Sequence, residues 1–153
     1  MIESHEYMVN LTARSPKTGV IDSPNDPLPT LEVGSPPEFG GPGGMWSPEH
    51  LFVASIASCL MTTFYAIAAI SGLDVLQYED EAIGHLQRGE DRLYLIDRVL
   101  LRPTVVVGDE TEVVKAKRLL MKAEDACLIG RSVVSKIEME ATVLVRREAL
   151  IRS

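Results

Sequence analysis

The chain has 153 residues, of which 46% are hydrophobic and only 5% aromatic, and it carries a formal net charge of −7. This length and composition suit a single domain, residues 1–153, with a core packed mainly from aliphatic side chains. Acidic and basic residues are interleaved along the chain, which argues against a nucleic-acid-binding surface.

The first third of the chain predicts short strands and loops. Apolar and polar residues alternate over residues 7–11, which is typical of a half-buried strand, and residues 15–19 (Ser-Pro-Lys-Thr-Gly) mark a turn. Short strands are expected at residues 20–21 and 31–33. Residues 34–44 form a loop rich in Gly and Pro, and because no Gly-Lys-Ser/Thr follows it, it is not a phosphate-binding loop.

The first predicted helix has clear boundary signals. Ser47 fits the N-cap, Pro48 the first helical position, and Glu49 the first turn beside the positive end of the helix dipole, while Gly72 is a natural stop. Residues 51–70 are almost entirely apolar and about as long as a membrane span. Polar residues interrupt this segment and no Lys or Arg flanks it, so we expect a helix buried on all sides within a protein or dimer core.

The second half of the chain predicts a hairpin, a helix and a last strand. Residues 75–87 and 93–107 read as two long antiparallel strands joined by a turn. In residues 110–127, apolar side chains recur at three- and four-residue steps, which predicts a helix whose core-facing stripe ends at Cys127. Alternation over residues 137–145 predicts a final strand in a sheet with one covered face. This order of elements is typical of the α+β class.

The number and spacing of the cysteines and histidines limit which kinds of site the chain can form. The chain has two cysteines and three histidines, in no recognised metal-ligand spacing, so we expect neither a metal nor another cofactor. The N-terminal segment lacks the basic region and apolar stretch of a secretory signal. These features predict a cytoplasmic protein in which Cys59 and Cys127 are free thiols or a redox-cycling pair rather than a structural disulfide.

The two cysteines leave two hypotheses open. A cysteine on a buried helix face is usually a small apolar core residue. However, Cys127 lies at the end of the second apolar helix, so the two sulfurs can meet if the helices pack together. A thiol reacts as a nucleophile only when it is a thiolate, so a reactive Cys59 needs a nearby cation or other donor.

Several motifs resemble those of the OsmC/Ohr family, the osmotically inducible protein C and organic hydroperoxide resistance proteins. They are Gly-Gly-Pro-Gly-Gly at residues 40–44, Ser-Pro-Glu-His-Leu-Phe at 47–52, Cys59 ten residues after Glu49, and Lys-Ala-Glu-Asp-Ala-Cys at 122–127. The resemblance implies an OsmC-like intertwined homodimer with curved antiparallel sheets around two long central helices. Organic hydroperoxide resistance proteins typically continue after the second cysteine with Pro-Tyr-Ser, whereas this chain has Leu-Ile-Gly, so the subgroup stays open.

The resemblance also implies roles for individual residues. Cys59 corresponds to the peroxidatic cysteine and Cys127 to the resolving cysteine. An arginine of the N-terminal hairpin, held by the glutamate that matches Glu49, stabilises the thiolate in that family. Arg14 is the candidate here, although a different alignment places Lys17 there. The choice matters because a guanidinium can bond to a carboxylate and a sulfur together, whereas an ammonium acts as a point charge.

The spacing of Glu49 and Cys59 constrains how such a site is assembled. Ten residues of straight helix separate the two by about 15 Å, which is too far for one cation to contact both directly. Either the helix breaks between them or Glu49 serves the cysteine of another subunit. We favour the second arrangement, an active site built across a two-fold interface.

Together with the resemblance to the OsmC/Ohr family, these observations predict a thiol-dependent peroxidase with a function in the stress response. It reduces organic hydroperoxides through a Cys59 sulfenic acid and a Cys59–Cys127 disulfide, and hydrogen peroxide stays open as a substrate. The resemblance suggests a lipoyl protein or a small thiol as the reducing partner. Trp46, Phe52, Met61 and Phe64 either wall an apolar substrate pocket or pack in the core.

A binding function is the alternative. In that case the chain is a dimeric thiol redox sensor or a hydrophobic-ligand-binding module, in which the same disulfide forms slowly and signals instead of turning over. Neither hypothesis needs a nucleic-acid or membrane partner. A third possibility is that both cysteines are inert core residues.

Overall fold

The computed structural model describes the backbone of residues 4–152 and the side chains of residues 4–147, 150 and 151. Residues 1–3, part of the segment predicted to lack a secretory signal, lie outside this range. The chain divides into two compact units, residues 1–51 and 52–153. Its helices and strands follow in the order β1 (Asn10–Ser15), β2 (Thr18–Asp22), β3 (Leu31–Gly34), α1 (Pro48–Ile70), β4 (Val75–Arg88), β5 (Tyr94–Val107), α2 (Val113–Ala126), β6 (Lys136–Met139), β7 (Thr142–Val145) and α3 (Arg146–Arg152).

The first unit contains an antiparallel three-stranded sheet in the order β1-β2-β3. The predicted turn and the strands at 20–21 and 31–33 are confirmed. The first strand was predicted too early, at residues 7–11, and its six residues are all exposed rather than alternately buried. The reason is the register: Asn10 pairs with Asp22, where β2 ends, so residues before Asn10 have no strand beside them.

Local capping interactions fix both ends of α1, as predicted. At the N-terminus, the buried Ser47 Oγ accepts a hydrogen bond from the His50 backbone N–H at 3.2 Å and lies 2.7 Å from His50 Nδ1. At the C-terminus, Gly72 adopts a left-handed φ of 65°. The amides of the two residues after Ser71 then donate to the last helical carbonyls, at 3.2 and 2.9 Å, in a Schellman motif.

Replacing Ser47 with alanine is expected to lower the free energy of unfolding by about 1 kcal/mol, because the backbone N–H of His50 loses its acceptor, the Ser47 hydroxyl. Urea unfolding followed by circular dichroism measures this loss. Ser58→Ala on the same helix is the control, since Ser58 is exposed and its hydroxyl only donates to helical carbonyls. A loss as large in Ser58→Ala would show that the Ser47 cap is not the cause.

Helix α1 buries one stripe rather than its whole surface. Ile56, Leu60, Phe64 and Ala68, at four-residue steps, are at most 1% exposed. Only 22% of its most apolar stretch is buried, so the prediction of burial on all sides is wrong for the single chain. Phe52, Val53, Ala57 and Ile67 flank this stripe and pack partly buried against the same core, so the core of the second unit covers one face of α1. By length and composition, α1 is the one helix within residues 4–152 that could cross a membrane.

The hairpin and the second helix form as predicted. Strands β4 and β5 pair antiparallel along their full length. A short 3-10 turn over Glu110–Glu112, capped by Asp109, leads into α2. The apolar stripe of α2 is buried and Cys127 follows its last residue directly. The core of the second unit therefore consists of the stripes of α1 and α2 with the inner face of β5, which contributes Val99, Leu101, Val105 and Val107.

The last predicted strand is in fact two short strands, β6 and β7, which both pair parallel to β5. The register is the same before and after the break, which faces Pro103 on β5. Glu140 N donates to Leu101 O at 2.8 Å, but proline has no N–H to return a bond to Glu140. The α+β class is confirmed, whereas the second sheet is mixed rather than wholly antiparallel. The short helix α3 was not predicted.

A candidate thiol active site

The structure brings the two cysteines together. Cys59 lies in the middle of α1 and is half-buried, and Cys127 lies at the end of α2 with 3% of its surface exposed. Both are free thiols. The two sulfurs lie close enough for the Cys127 thiol to act on the pKa of Cys59, so they meet, as predicted for helices that pack together.

The turn after α2 supplies a backbone donor to each sulfur. Cys127 adopts an extended conformation that ends the helix, and the chain then turns back through a 3-10 turn at Gly130–Ser132. The Ile129 N–H donates to Cys59 Sγ and the Gly130 N–H to Cys127 Sγ, each at 3.4 Å. Consecutive amides therefore hold the two sulfurs side by side. Sequence reasoning missed these donors because they belong to the backbone.

Hydrogen bonding makes the two thiols unequal. Burial acts to raise the pKa of Cys59, but the donors around it, the Ile129 amide first, then the Cys127 thiol and the Thr63 hydroxyl, lower the pKa below that of an ordinary thiol. For Cys127, burial raises the pKa, and the neighbouring Cys59 sulfur raises it further, against the Gly130 amide. Cys59 is thus the thiol that ionises first, and Cys127 stays protonated beside it.

Removing the Ile129 N–H should make Cys59 less reactive near neutral pH. Ile129 has a φ of −68°, which suits proline, so Ile129→Pro deletes the donor with little change in backbone geometry at that residue. Alkylation requires the thiolate, which forms above the pKa. Loss of a donor worth about 1 kcal/mol should therefore slow alkylation roughly fivefold and move its pH profile upward.

Stopped-flow alkylation with iodoacetamide between pH 5 and 10, followed by peptide mapping of Cys59, measures this profile. Ile129→Ala is the matched control, since it loses the same side chain but keeps the N–H. If the alanine and proline variants give the same profile, the amide does not stabilise the thiolate.

The two candidate cations of the first unit have different surroundings. Lys17 Nζ donates to the backbone carbonyls of Phe39 and Gly40, at 3.0 and 2.8 Å, and so fastens the hairpin turn to the loop. Arg14 is the extra residue of a β-bulge in β1, is exposed, and makes no ion pair in the part of the chain that the structure describes. A bulge redirects a side chain out of the regular alternation. These surroundings favour Arg14 as the available cation.

Glu49 has an incomplete set of hydrogen bonds. It lies in the first turn of α1, and its Oε2 is buried with no hydrogen-bond partner among the described residues. The structure does not pair it with Arg14. A buried carboxylate oxygen is costly to leave without a donor, so Glu49 Oε2 is an unsatisfied acceptor. Helix α1 runs unbroken from Pro48 to Ile70, so the alternative in which the helix breaks between Glu49 and Cys59 is wrong.

The four apolar residues considered as pocket walls differ in their environments. Phe64 is fully buried in the core, and Phe52 packs partly buried against it, so the core alternative describes both. Trp46 is 50% exposed and lines an open cavity of about 300 Å³ with Gly44, Met45 and His50. Met61 is exposed on α1.

A second cavity, of about 330 Å³, adjoins the cysteine pair. Its wall consists of Leu60, Leu101, Glu124, Asp125, Cys127, Gly130, Arg131 and Ile137. Within residues 4–152, no three His, Cys, Asp or Glu side chains lie close enough together to hold a metal ion.

The sequence of the chain is similar to known proteins. Residues 41–142 match the model of the family described as OsmC-like protein. The chain is 29% identical over 152 residues to the uncharacterized protein YmaD of Bacillus subtilis, covering 95% of this chain and 97% of YmaD.

Solved structures share the fold. An OsmC-like protein of unknown function from Vibrio cholerae superimposes with a TM-score of 0.82 at 21% identity, covering 90% of this chain and 99% of that one. An organic hydroperoxide resistance protein from Elizabethkingia anophelis, with thiocyanate bound, gives a TM-score of 0.74 at 21% identity, covering 95% and 100%. Another, from Vibrio cholerae with captopril in one of its active sites, gives 0.68 at 21% identity, covering 92% and 94%.

Proposed function

Because this chain belongs to the OsmC-like protein family, we propose that it is a thiol-dependent peroxidase that reduces organic hydroperoxides, with Cys59 as the nucleophile and Cys127 as the resolving residue. The observation that carries the proposal is the pair of free thiols held by consecutive backbone amides, in which the pKa of Cys59 is lowered and that of Cys127 is raised. Inert core cysteines would not need backbone donors aimed at each sulfur.

The reaction proceeds in two oxidative steps. The Cys59 thiolate attacks the distal oxygen of the hydroperoxide, the O–O bond breaks, and the alkoxide takes a proton and leaves as the alcohol. Cys59 becomes a sulfenic acid, oxidised by two electrons. Cys127 then loses its proton and attacks the Cys59 sulfur, which forms the disulfide as hydroxide leaves and is protonated to water. An external dithiol returns both residues to thiols, as expected in a reducing cytoplasm.

The proposal includes a homodimer in which one subunit completes the site of the other. Arg14 is unpaired in the described chain, and Glu49 Oε2 is buried without a donor. Their pairing at the Cys59 of a second copy would satisfy both groups and place a guanidinium beside the thiolate. The exposed apolar side chains of α1, Met61, Tyr65 and Ile70, support a second copy packed on this helix.

The decisive experiment adds one equivalent of cumene hydroperoxide to the reduced protein and maps the products by intact and peptide mass spectrometry. We expect an intramolecular Cys59–Cys127 disulfide, and in Cys127→Ala a Cys59 sulfenic acid that dimedone traps. If both thiols stay unmodified, the peroxidase proposal fails and the cysteines are core residues.

A turnover measurement separates the enzyme from a redox sensor or ligand-binding module. With excess dithiothreitol, the peroxidase consumes many equivalents of hydroperoxide per chain. A sensor, in which the same disulfide forms slowly, consumes about one equivalent per site in the time that the enzyme needs for many turnovers. A variant lacking both cysteines provides the background rate of direct reaction between dithiol and hydroperoxide.

A further inference from the structure

The cavity of about 330 Å³ beside the cysteine pair reaches one sulfur and not the other. Cys127 is part of its wall, whereas Cys59 is not. Asp125 and Arg131 are exposed side chains of the wall, while Leu60 and Leu101 are at most 1% exposed. The cavity therefore leads from solvent, between a carboxylate and a guanidinium, to apolar side chains next to the buried Cys127.

The absence of a side chain at Gly130 keeps the Cys127 sulfur open on the cavity side. A Cβ at position 130 would lie 3.4 Å from Cys127 Sγ, 3.6 Å from Cys127 Cβ and 3.8 Å from an Ile137 side-chain carbon. These are ordinary van der Waals distances, so a methyl group fits without a clash. It would, however, occupy the space from which another atom can approach the sulfur.

We propose that the reducing thiol enters this cavity and attacks the Cys127 sulfur of the Cys59–Cys127 disulfide, and that the cavity selects a neutral alkyl dithiol over an anionic one. This inference rests on the proposed function and specifies where and by which class of thiol the enzyme is reduced. Two carboxylates, Glu124 and Asp125, and one guanidinium, Arg131, leave the wall with excess negative charge. Apolar side chains deeper in the cavity suit an alkyl chain.

The reduction proceeds by two successive thiol–disulfide exchanges. One thiolate of the dithiol bonds to Cys127 Sγ, the S–S bond breaks, and its electron pair leaves with Cys59 as a thiolate. The second thiolate of the dithiol then attacks the dithiol sulfur of the mixed disulfide. A cyclic disulfide forms and Cys127 leaves as a thiolate, which takes a proton.

The acidities of the two thiols agree with this direction of attack. A sulfur of lower pKa is the better leaving group in thiol–disulfide exchange. Hydrogen-bond donors lower the pKa of Cys59, whereas burial raises that of Cys127. Attack on Cys127 expels the better leaving group. Burial and the charge of Asp125 also raise the pKa of Glu124, so the field of the outer carboxylate extends into the cavity.

The first test determines which sulfur is attacked. Diamide converts the reduced chain to its disulfide without any hydroperoxide, a short pulse of 2-mercaptoethanol opens it, and acid with N-ethylmaleimide stops the reaction. Peptide mass spectrometry should find mercaptoethanol on Cys127 and maleimide on Cys59. The reverse pattern, or failure of diamide to form the disulfide, overturns the inference. Since no hydroperoxide is used, failure of the peroxidase proposal would be seen separately.

The second test fills the approach to the sulfur. For each protein, the rate of disulfide reduction by dithiothreitol is divided by the rate of thiol oxidation by diamide. Gly130→Ala should lower this ratio about tenfold. Gly108→Ala is the control, because it makes the same exchange away from the cysteines and should leave the ratio unchanged. Thermal melts of both variants check folding. An unchanged ratio in folded Gly130→Ala contradicts the proposed route.

The third test addresses selectivity. For each protein, the rate of reduction by dithiothreitol is divided by the rate of reduction by dimercaptosuccinate. This ratio should be at least about fivefold higher for the wild type than for Asp125→Asn. The Asn variant removes one charge and keeps the shape of the side chain, so it corrects for the intrinsic reactivity of each dithiol. Equal relative rates in the two proteins would overturn the selection of a neutral dithiol.

Discussion

Replacing Cys59 with serine is expected to abolish the consumption of organic hydroperoxides by this protein. A serine hydroxyl is not ionised near neutral pH and cannot take up the distal oxygen as sulfur does, so no step of the proposed cycle can begin. The measurement is the loss of cumene hydroperoxide with excess dithiothreitol, compared with a reaction without protein. Wild-type turnover that persists in Cys59→Ser would show that another group is the nucleophile.

The pH dependence of the first oxidative step gives an independent check. The rate follows the thiolate fraction of Cys59, so it rises with pH through the pKa and then levels off. Because hydrogen-bond donors lower that pKa, the rate should reach half of its plateau below the pH at which an ordinary thiol, with a pKa of about 8.5, is half ionised. A midpoint at or above that pH would contradict a stabilised thiolate.

Cys127→Ser is the matched control for the role of the second thiol. It keeps the nucleophile and replaces only the group that resolves the sulfenic acid. One equivalent of hydroperoxide should still be consumed per chain, after which turnover with dithiothreitol should slow because no disulfide forms. Full turnover in Cys127→Ser would mean that the dithiol reduces the sulfenic acid directly and that Cys127 is not the resolving residue.

Features set by neighbouring residues in the chain could be predicted from the sequence. The ends of α1 depend on Ser47, Pro48 and Gly72, each of which acts within one helical turn. The hairpin of β4 and β5 likewise follows from two apolar strands and a polar turn. In contrast, the division of the last strand depends on Pro103 of β5, which is distant in sequence, and no pattern within residues 137–145 reveals it.

In the candidate site, too, some features could be predicted from the sequence and others could not. The meeting of Cys59 and Cys127 could be anticipated, because each lies on or ends an apolar helix. The amides of Ile129 and Gly130 could not, since a backbone donor depends on how the chain turns after the helix rather than on residue type. Gly130 was the available signal: a glycine three residues after a cysteine permits close approach to its sulfur.

Replacing Phe64 with alanine is expected to cause a large loss of stability. Phe64 is 0% exposed, and its ring lies 5.9 Å from that of Tyr78 and 6.1 Å from that of Tyr65. Phe64→Ala leaves a cavity in the stripe by which α1 packs on the core. We expect the free energy of unfolding to fall by about 3–5 kcal/mol, measured by urea unfolding at one fixed protein concentration.

Val134→Ala provides the comparison for Phe64→Ala, because Val134 is 98% exposed and its truncation should change the free energy of unfolding by no more than about 0.5 kcal/mol. The pair also tests the core assignment of Phe64 against the pocket-wall alternative. A wall of a substrate pocket would alter the KM for bulky hydroperoxides with little effect on stability. A core residue lowers stability first, and whatever protein stays folded should keep the KM of the wild type for both small and bulky hydroperoxides.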